Sequence, residues 1–279
     1  MTEGEEDYLL PNRQIAAGAR LAALSELFDP STFRHLVTLG IEPGWHCWEV
    51  GGGRPEVAEW MAERVRPEGS VLVTDIDVTH LIDLGPGVEV RRHDVGADRP
   101  PEGPFDVIHA RLVLTHVPGR SRAVAKLAAA LRAGGWLLVE DADPSLQPLT
   151  CLDVYGPEQE LANRLRAGFR QLLAARGADL AFGRTLPRLL RESGLVDVAA
   201  DAYFPVASPA CTALEAATIE QIRDQLIAAG LATPEDIDRH LRSVEAGHLD
   251  LATSPMISAW GRKPLDERAA PASRRGSRH

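Results

Sequence analysis

The sequence predicts an α/β fold built on a parallel sheet with helices on both faces. Three observations predict it. Between Trp45 and Asp143 short apolar runs alternate with helical segments, the pattern of strand–helix–strand units. A glycine turn, Gly51-Gly52-Gly53, follows the first run and opens a helix. Asp75 ends the next run, 24 positions after Gly51.

Ile15, Leu21, Leu24, Leu27 and Phe28 recur at helical spacing. Asp29 then offers a cap, Pro30 suits a first helical position, and Gly40 suits a stop. Two helices are therefore expected before the sheet begins, with residues 1–42 as an N-terminal helical cap. The strands expected in the alternating region are 46–50, 71–76, 88–95, 105–110 and 136–140. Helices are expected at 55–65, 79–84 and 120–132. After Asp143 the alternation breaks. Leu161, Leu165, Phe169, Leu172 and Leu173 mark one face of a helix over 157–176. A helix at 185–193, a strand at 196–206, helices at 212–229 and 234–246, and a last strand at 257–261 complete the chain. Thr233-Pro234-Glu235-Asp236 combines a cap, an N1 proline and early acids. Residues 207–256 form a helical insertion before the last strand, within a domain over 43–264. Insertions over a sheet commonly carry substrate contacts. Residues 265–279 are expected to be a disordered tail.

Composition narrows the function. The chain has 279 residues, of which 44% are hydrophobic and 25% charged, enough apolar material for a sizeable core. A net charge of −10 argues against a nucleic-acid backbone as partner. The three cysteines, Cys47, Cys151 and Cys211, are far apart and form neither a disulfide framework nor a metal knuckle. The first residues lack the basic and apolar blocks of a signal peptide, and no run approaches the length of a membrane span. A cytoplasmic protein is expected, with no membrane partner. The sequence leaves the oligomeric state open.

The strongest constellation is Glu49-Val50-Gly51-Gly52-Gly53-Arg54-Pro55. Glycines at a strand–helix junction let the backbone approach a ligand, and the helix start presents free N–H groups. A carboxylate in the position of Asp75 can accept from ribose hydroxyls. Two cofactor classes fit, a dinucleotide and S-adenosylmethionine. The dehydrogenase pattern G-x-G-x-x-G is met by Gly51 and Gly53, but its third position is Glu56. That carboxylate opposes a pyrophosphate and does not oppose a sulfonium. Glu49 suits a ligand with an ammonium group.

At these residues the chain resembles the class I S-adenosylmethionine-dependent methyltransferases, in particular their bacterial small-molecule, quinone-biosynthesis-like branch. The resemblance covers 35–264. Residues 48–53 resemble the first motif, and 71–77 the second, with Asp75 as ribose acid and Ile76 against adenine. His93-Asp94-Val95 resembles the third, where Asp94 accepts from the adenine amino group beside Val95. Residues 105–116 are similar to the fourth, under the methionine part. Residues 131–137 resemble the turn into the fifth strand, and Trp260-Gly261-Arg262 the end of the last strand. Pro55 stands where the family often has a third glycine. The resemblance implies a Rossmann-like sheet of seven strands, the seventh antiparallel between the fifth and sixth.

Methyl transfer needs a nucleophile positioned in line and a site that excludes water. His116 is the candidate catalytic group near the donor, while His109, inside a strand, suits local packing. Arg111 suits a cofactor or substrate carboxylate. Glu140, Asp141 and Asp143 suit a solvated acidic turn, and no metal is expected because Arg111 would repel it. Tyr8 is expected to fold over the cofactor as a second catalytic-site residue. Tyr155, Tyr203 and Phe204 fall in segments expected to cover the pocket. The expected activity is methyl transfer from S-adenosylmethionine to a small, largely apolar or aromatic acceptor in secondary metabolism. The alternatives are a methyltransferase-like cyclase or binding module, and a nicotinamide-dependent oxidoreductase.

Overall fold

The computed structural model describes residues 9–10, 15–82 and 84–265. The expected role of Tyr8 and the expected tail beyond Leu265 fall outside the described residues. The sheet has seven strands: β1 (His46–Val50), β2 (Ser70–Asp75), β3 (Val88–Arg92), β4 (Phe105–Arg111), β5 (Leu131–Ala142), β6 (Val196–Tyr203) and β7 (Met256–Arg262). Their spatial order is β3-β2-β1-β4-β5-β7-β6. β7 runs antiparallel to both β5 and β6, and the other pairings are parallel. The Rossmann-like sheet with its antiparallel seventh strand is the one expected. The strand order reverses between β1 and β4, and ligands of open α/β sheets bind outside the strand ends at such a point.

The helices are α1 (Ile15–Thr38), α2 (Glu56–Val65), α3 (Arg120–Ala130), α4 (Pro157–Ala175), α5 (Leu186–Glu192), α6 (Pro209–Gln221), α7 (Arg223–Ala228) and α8 (Pro234–Glu245). Buried parallel strands read as near-continuous apolar runs, and alternate residues feed the two faces. Trp48, Val50, Ile108, Leu137 and Val139 pack on one face with Val124 and Leu127 of α3. Cys47, Val71, Val73, Val107 and Leu138 pack on the other with Leu36 of α1 and Met61 of α2. A further core lies within the helical layer, where Leu161, Leu165, Ile219, Ile222, Leu226 and Ile237 meet Leu9 and Leu10. α8 starts with a capping box between Thr233 and Asp236, as its sequence predicts.

Several expectations are corrected. α1 is one helix with Pro30 inside it. The proline removes a backbone donor and should interrupt the helix, but tertiary contacts hold both sides. Asp29 is not a cap, because its carboxylate takes the guanidinium of Arg111 at 2.6 Å. Phe33, one turn on, stacks on Trp60 of α2 at 4.5 Å. No helix forms over the described part of 79–84; this link makes a turn and buries Leu81 against the α2 face of the sheet. β5 begins five residues earlier than the apolar run suggests, at Leu131, which pairs with Phe105. The helix expected over 212–229 is two helices, breaking at Ile222.

Candidate functional site

The glycine turn sits at the end of β1, at the point where strand order reverses. Gly51 has φ +67°, in the left-handed region that favours glycine. A Cβ there would lie 2.1 Å from Cγ2 of Val113, so the turn and the segment after β4 touch. The chain reaches that contact through Leu112, whose φ of +57° is unusual for a residue with a side chain. Pro55 takes a helical conformation and leads into α2, so it costs no hydrogen bond at that position.

Asp75 ends β2 beside this turn. One of its oxygens accepts from the Gly53 N–H at 3.0 Å and the other from the Asp77 N–H at 2.9 Å. Burial raises its pKa above the usual carboxylate range, against those two bonds. The carboxylate therefore ties the turn to the strand end, and each oxygen keeps a second lone pair. Ile76, next to it, is 55% exposed. Asp94 accepts from the N–H groups of Gly96 and Ala97 at 2.8 and 3.2 Å. The Val95 side chain packs into the core.

Behind the turn lies a buried network that sequence reasoning missed. Glu49, His109 and Glu140 stand on adjacent strands, with Glu49 opposite His109 and Glu140 opposite Arg111. All three point to the α1 side of the sheet, in step with Cys47, Val107 and Leu138. His109 Nδ1 meets Glu49 at 2.6 Å and its Nε2 meets Glu140 at 3.1 Å. Glu140 also bonds His35 Nδ1 at 3.1 Å, accepts from Ser258 at 2.6 Å, and accepts from Thr32. His35 continues to Asp201 at 3.0 Å. Burial would depress His109, yet Glu49 and Glu140 raise its pKa to about 9. Burial likewise opposes ionisation of Glu140, but His109 and His35 hold it well below the usual range. The available signal was an ionisable residue, Glu49, His109 and Glu140, near the end of each of three otherwise apolar strands.

Arg111, at the end of β4, donates to Asp29 and to Thr32 Oγ at 2.9 Å. The acids expected to form a solvated turn instead lie in the last residues of β5 and just beyond it. Glu140, Asp141 and Asp143 are all buried. Asp143 is held by the Arg184 fork at 2.7 Å. Asp141 accepts the Thr115 N–H at 3.1 Å, and burial raises its pKa to about 7. Among the described residues no group of three or more His, Cys, Asp or Glu is arranged to hold a metal ion.

His116 ends a short 3₁₀ turn, Leu114–His116, fixed from below by that Asp141 bond. Burial, then the charges of Arg20 and Arg120, lower its pKa to about 4. Its imidazole is neutral at physiological pH and is a weak base. Arg20 belongs to α1 and bonds Gln221 at the end of α6 at 2.9 Å, so α1 and the end of α6 lie near this turn. Tyr203 packs edge-on against Phe28 at 6.1 Å, and Tyr155 is largely exposed.

Comparison with known proteins places these features in company. The family model described as a methyltransferase domain matches residues 41–200. Methyltransferase str3 of Strobilurus tenacellus is 31% identical over 149 residues, covering 52% of this chain and 50% of that protein. The chain thus spans half the length of that relative. The ubiquinone biosynthesis O-methyltransferase of Burkholderia pseudomallei (strain 1710b) is 30% identical over 174 residues, covering 59% of this chain and 71% of that protein. Among solved structures, Haemonchus contortus phosphoethanolamine N-methyltransferase 2, in complex with phosphomonomethylethanolamine and S-adenosylhomocysteine, superposes with a TM-score of 0.57. It is 12% identical, over 95% of this chain and 61% of that one. No helix among the described residues is long and apolar enough to cross a membrane.

Proposed function

The chain belongs to the methyltransferase domain family, and from that membership we propose that it transfers a methyl group from S-adenosylmethionine to a small acceptor. The observation that carries the reading is the glycine turn at the β1/β4 reversal with Asp75 and exposed Ile76 beside it. A nucleoside with ribose hydroxyls and a flat apolar base matches that pair. The residues present fit this cofactor better than a dinucleotide. The first turn of α2 carries Glu56 and Glu59, and Arg54 is engaged by Glu56 at 2.8 Å. A pyrophosphate would meet carboxylates where helix starts usually favour anions. The Glu56 Oε2 atom is buried with no hydrogen-bond partner, a place for a cationic donor.

When bound, S-adenosylmethionine supplies an electrophilic methyl group on a sulfonium. Asp75 would accept from the ribose hydroxyls, Ile76 would face the adenine, and Asp94 would take its amino group beside Val95. Gly51 and Gly53 would let the backbone approach, with Glu49 contributing negative charge under the crevice and Arg111 facing the methionine carboxylate. His116, neutral, would accept a hydrogen bond from the acceptor and orient it. Its low basicity suits positioning more than proton removal. α1 and the helices between β6 and β7 would exclude water. The acceptor class in this reading is a small phenol, amine or electron-rich ring, with a role in secondary metabolism.

The test is incubation of the protein with S-adenosylmethionine carrying a deuterated methyl group and a panel of phenols, amines and indoles, followed by mass spectrometry. Gain of one labelled methyl supports the proposal. Cofactor that binds and is never consumed across the panel would favour the non-transferring cyclase or binding reading.

A further inference from the structure

Glu140 and Asp141 are neighbours on β5 and point to opposite faces of the sheet. Glu140 is in step with Leu138 and meets His109 and His35 on the α1 side. Asp141 is in step with Leu137 and Val139, on the side where α3 packs. It is just as deeply buried, but it meets no charged partner at bonding distance. One carboxylate oxygen accepts the Thr115 N–H at 3.1 Å and the other accepts the Ala142 N–H at 3.1 Å. Both donors are backbone groups; among the described residues no cationic side chain bonds it. A buried carboxylate is costly unless it is paired. A neutral amide oxygen could accept from the same N–H, so holding the backbone does not by itself account for an ionisable group there.

The bond holds one particular turn. Thr115 is the middle residue of the 3₁₀ turn Leu114–His116. Its hydroxyl donates to the Asp179 carbonyl at 3.2 Å, and Leu114 is buried in the core shared with α3. Val113, just before the turn, lies against Gly51, and His116 ends it. The charged groups around are few. Arg120 of α3 pairs with Asp179 at 3.3 Å, and its charge acts on both Asp141 and His116. Arg20 of α1 acts on His116. Asp143, two residues on, is held by Arg184.

We propose that Asp141 is a positioning residue: through the Thr115 N–H its carboxylate sets the turn that places Val113 on the glycine turn and His116 toward the acceptor. This rests on the cofactor and acceptor reading above and adds a residue that acts only through the turn. Burial raises the Asp141 pKa to about 7, against the bonds from Thr115, Ala142 and Leu114. The carboxyl therefore takes up a proton on modest acidification, and a neutral carboxyl accepts more weakly than a carboxylate. The turn is held firmly above pH 7 and loosely below it.

The test has two arms. Without ligand, the His116 ring protons are followed by NMR between about pH 5.5 and 8.5, the resonance being assigned by its loss in His116→Gln. His116 itself titrates at about 4, so a step near pH 7 that depends on residue 141 reports the carboxyl. The parent should show that step and Asp141→Asn should not. A step that persists in Asp141→Asn, or a parent without one, would overturn the proposal. With ligand, S-adenosylhomocysteine is titrated calorimetrically over the same range. Asp141→Asn keeps one acceptor. It should match the parent within about twofold at the alkaline end, and the parent should be about fivefold the weaker at the acid end, the scale of one hydrogen bond. Asp141→Ala keeps no acceptor and should bind about fivefold more weakly than the parent at the alkaline end. A melt of each apo variant checks that it folds; if Asp141→Ala does not, Asp141→Asn and the NMR arm decide. A lowered Tm in Asp141→Ala with unchanged affinity would show a merely structural residue and overturn the proposal. If the parent binds no S-adenosylhomocysteine, the cofactor reading falls, and the NMR arm still decides whether Asp141 sets the turn.

Discussion

Glu49 and His109 face each other across β1 and β4, with a carboxylate oxygen 2.6 Å from the imidazole Nδ1 and no exposed surface on the histidine. His109 is thereby charged at neutral pH, since its pKa is raised from 6.5 to about 9. The folded-state value lies above the unfolded one, so this contribution is fully present below pH 6.5 and fades as pH rises through about 9. It amounts to at most about 3 kcal/mol. Urea unfolding between pH 6.5 and 9.5 should show the parent losing more stability than His109→Gln. At pH 7 the variant should be less stable by roughly 3–5 kcal/mol, because two carboxylates lose their shared partner. Parallel pH curves would contradict the assignment of charge.

A second expectation concerns Asp75. Replacement by Ala should weaken S-adenosylhomocysteine about 10- to 150-fold, since a charge-assisted bond contributes about 1.5–3 kcal/mol. Asp75→Asn should lose less, because the amide keeps one acceptor. The structure adds a complication, as the carboxylate also anchors Gly53 and Asp77. Calorimetry should therefore be paired with a melt of the apo protein. A lowered Tm with affinity within about threefold would leave only the anchoring role.

Much of this was legible beforehand, and the omissions have physical causes. Seven strands, the helical layer between β6 and β7, and the turn beside Asp75 announce themselves through local pattern and spacing. The Glu49–His109–Glu140 network does not, because its members are 60 and 31 positions apart and meet only through sheet register. Asp29-Pro30 reads as a helix start because local propensity favours it; the ion pair to Arg111, 82 positions away, overrides that reading. Glu140, Asp141 and Asp143 look solvated in a polar stretch, yet Asp143 is matched by Arg184, 41 positions on. Local signals find elements, and long-range polar pairing stays hidden.

The cover should respond to ligand. Residues 15–28 of α1 and those of α6 and α8 lie outside the strand–helix alternation, and we propose that they cover the crevice. Hydrogen exchange in these segments should slow when S-adenosylhomocysteine is added. Equal exchange with and without ligand would count against closure.

Metal removal should have no effect. Arg111 occupies the strand end where a metal-binding acid would be required, and Glu140, Asp141 and Asp143 are taken by histidines, backbone N–H groups and Arg184. Dialysis against EDTA should leave S-adenosylhomocysteine affinity and methyl transfer unchanged. A loss restored by magnesium would show that an ion takes part.

The proposed ligand of the crevice at the β1/β4 reversal is S-adenosylmethionine and not a dinucleotide. Calorimetric titration of the intact protein with S-adenosylhomocysteine and, separately, with NAD⁺ tests it most directly. The first should bind saturably with micromolar affinity, abolished or much weakened in Asp75→Ala, and the second should give no measurable heat. Saturable binding of NAD⁺ with none of S-adenosylhomocysteine would contradict it.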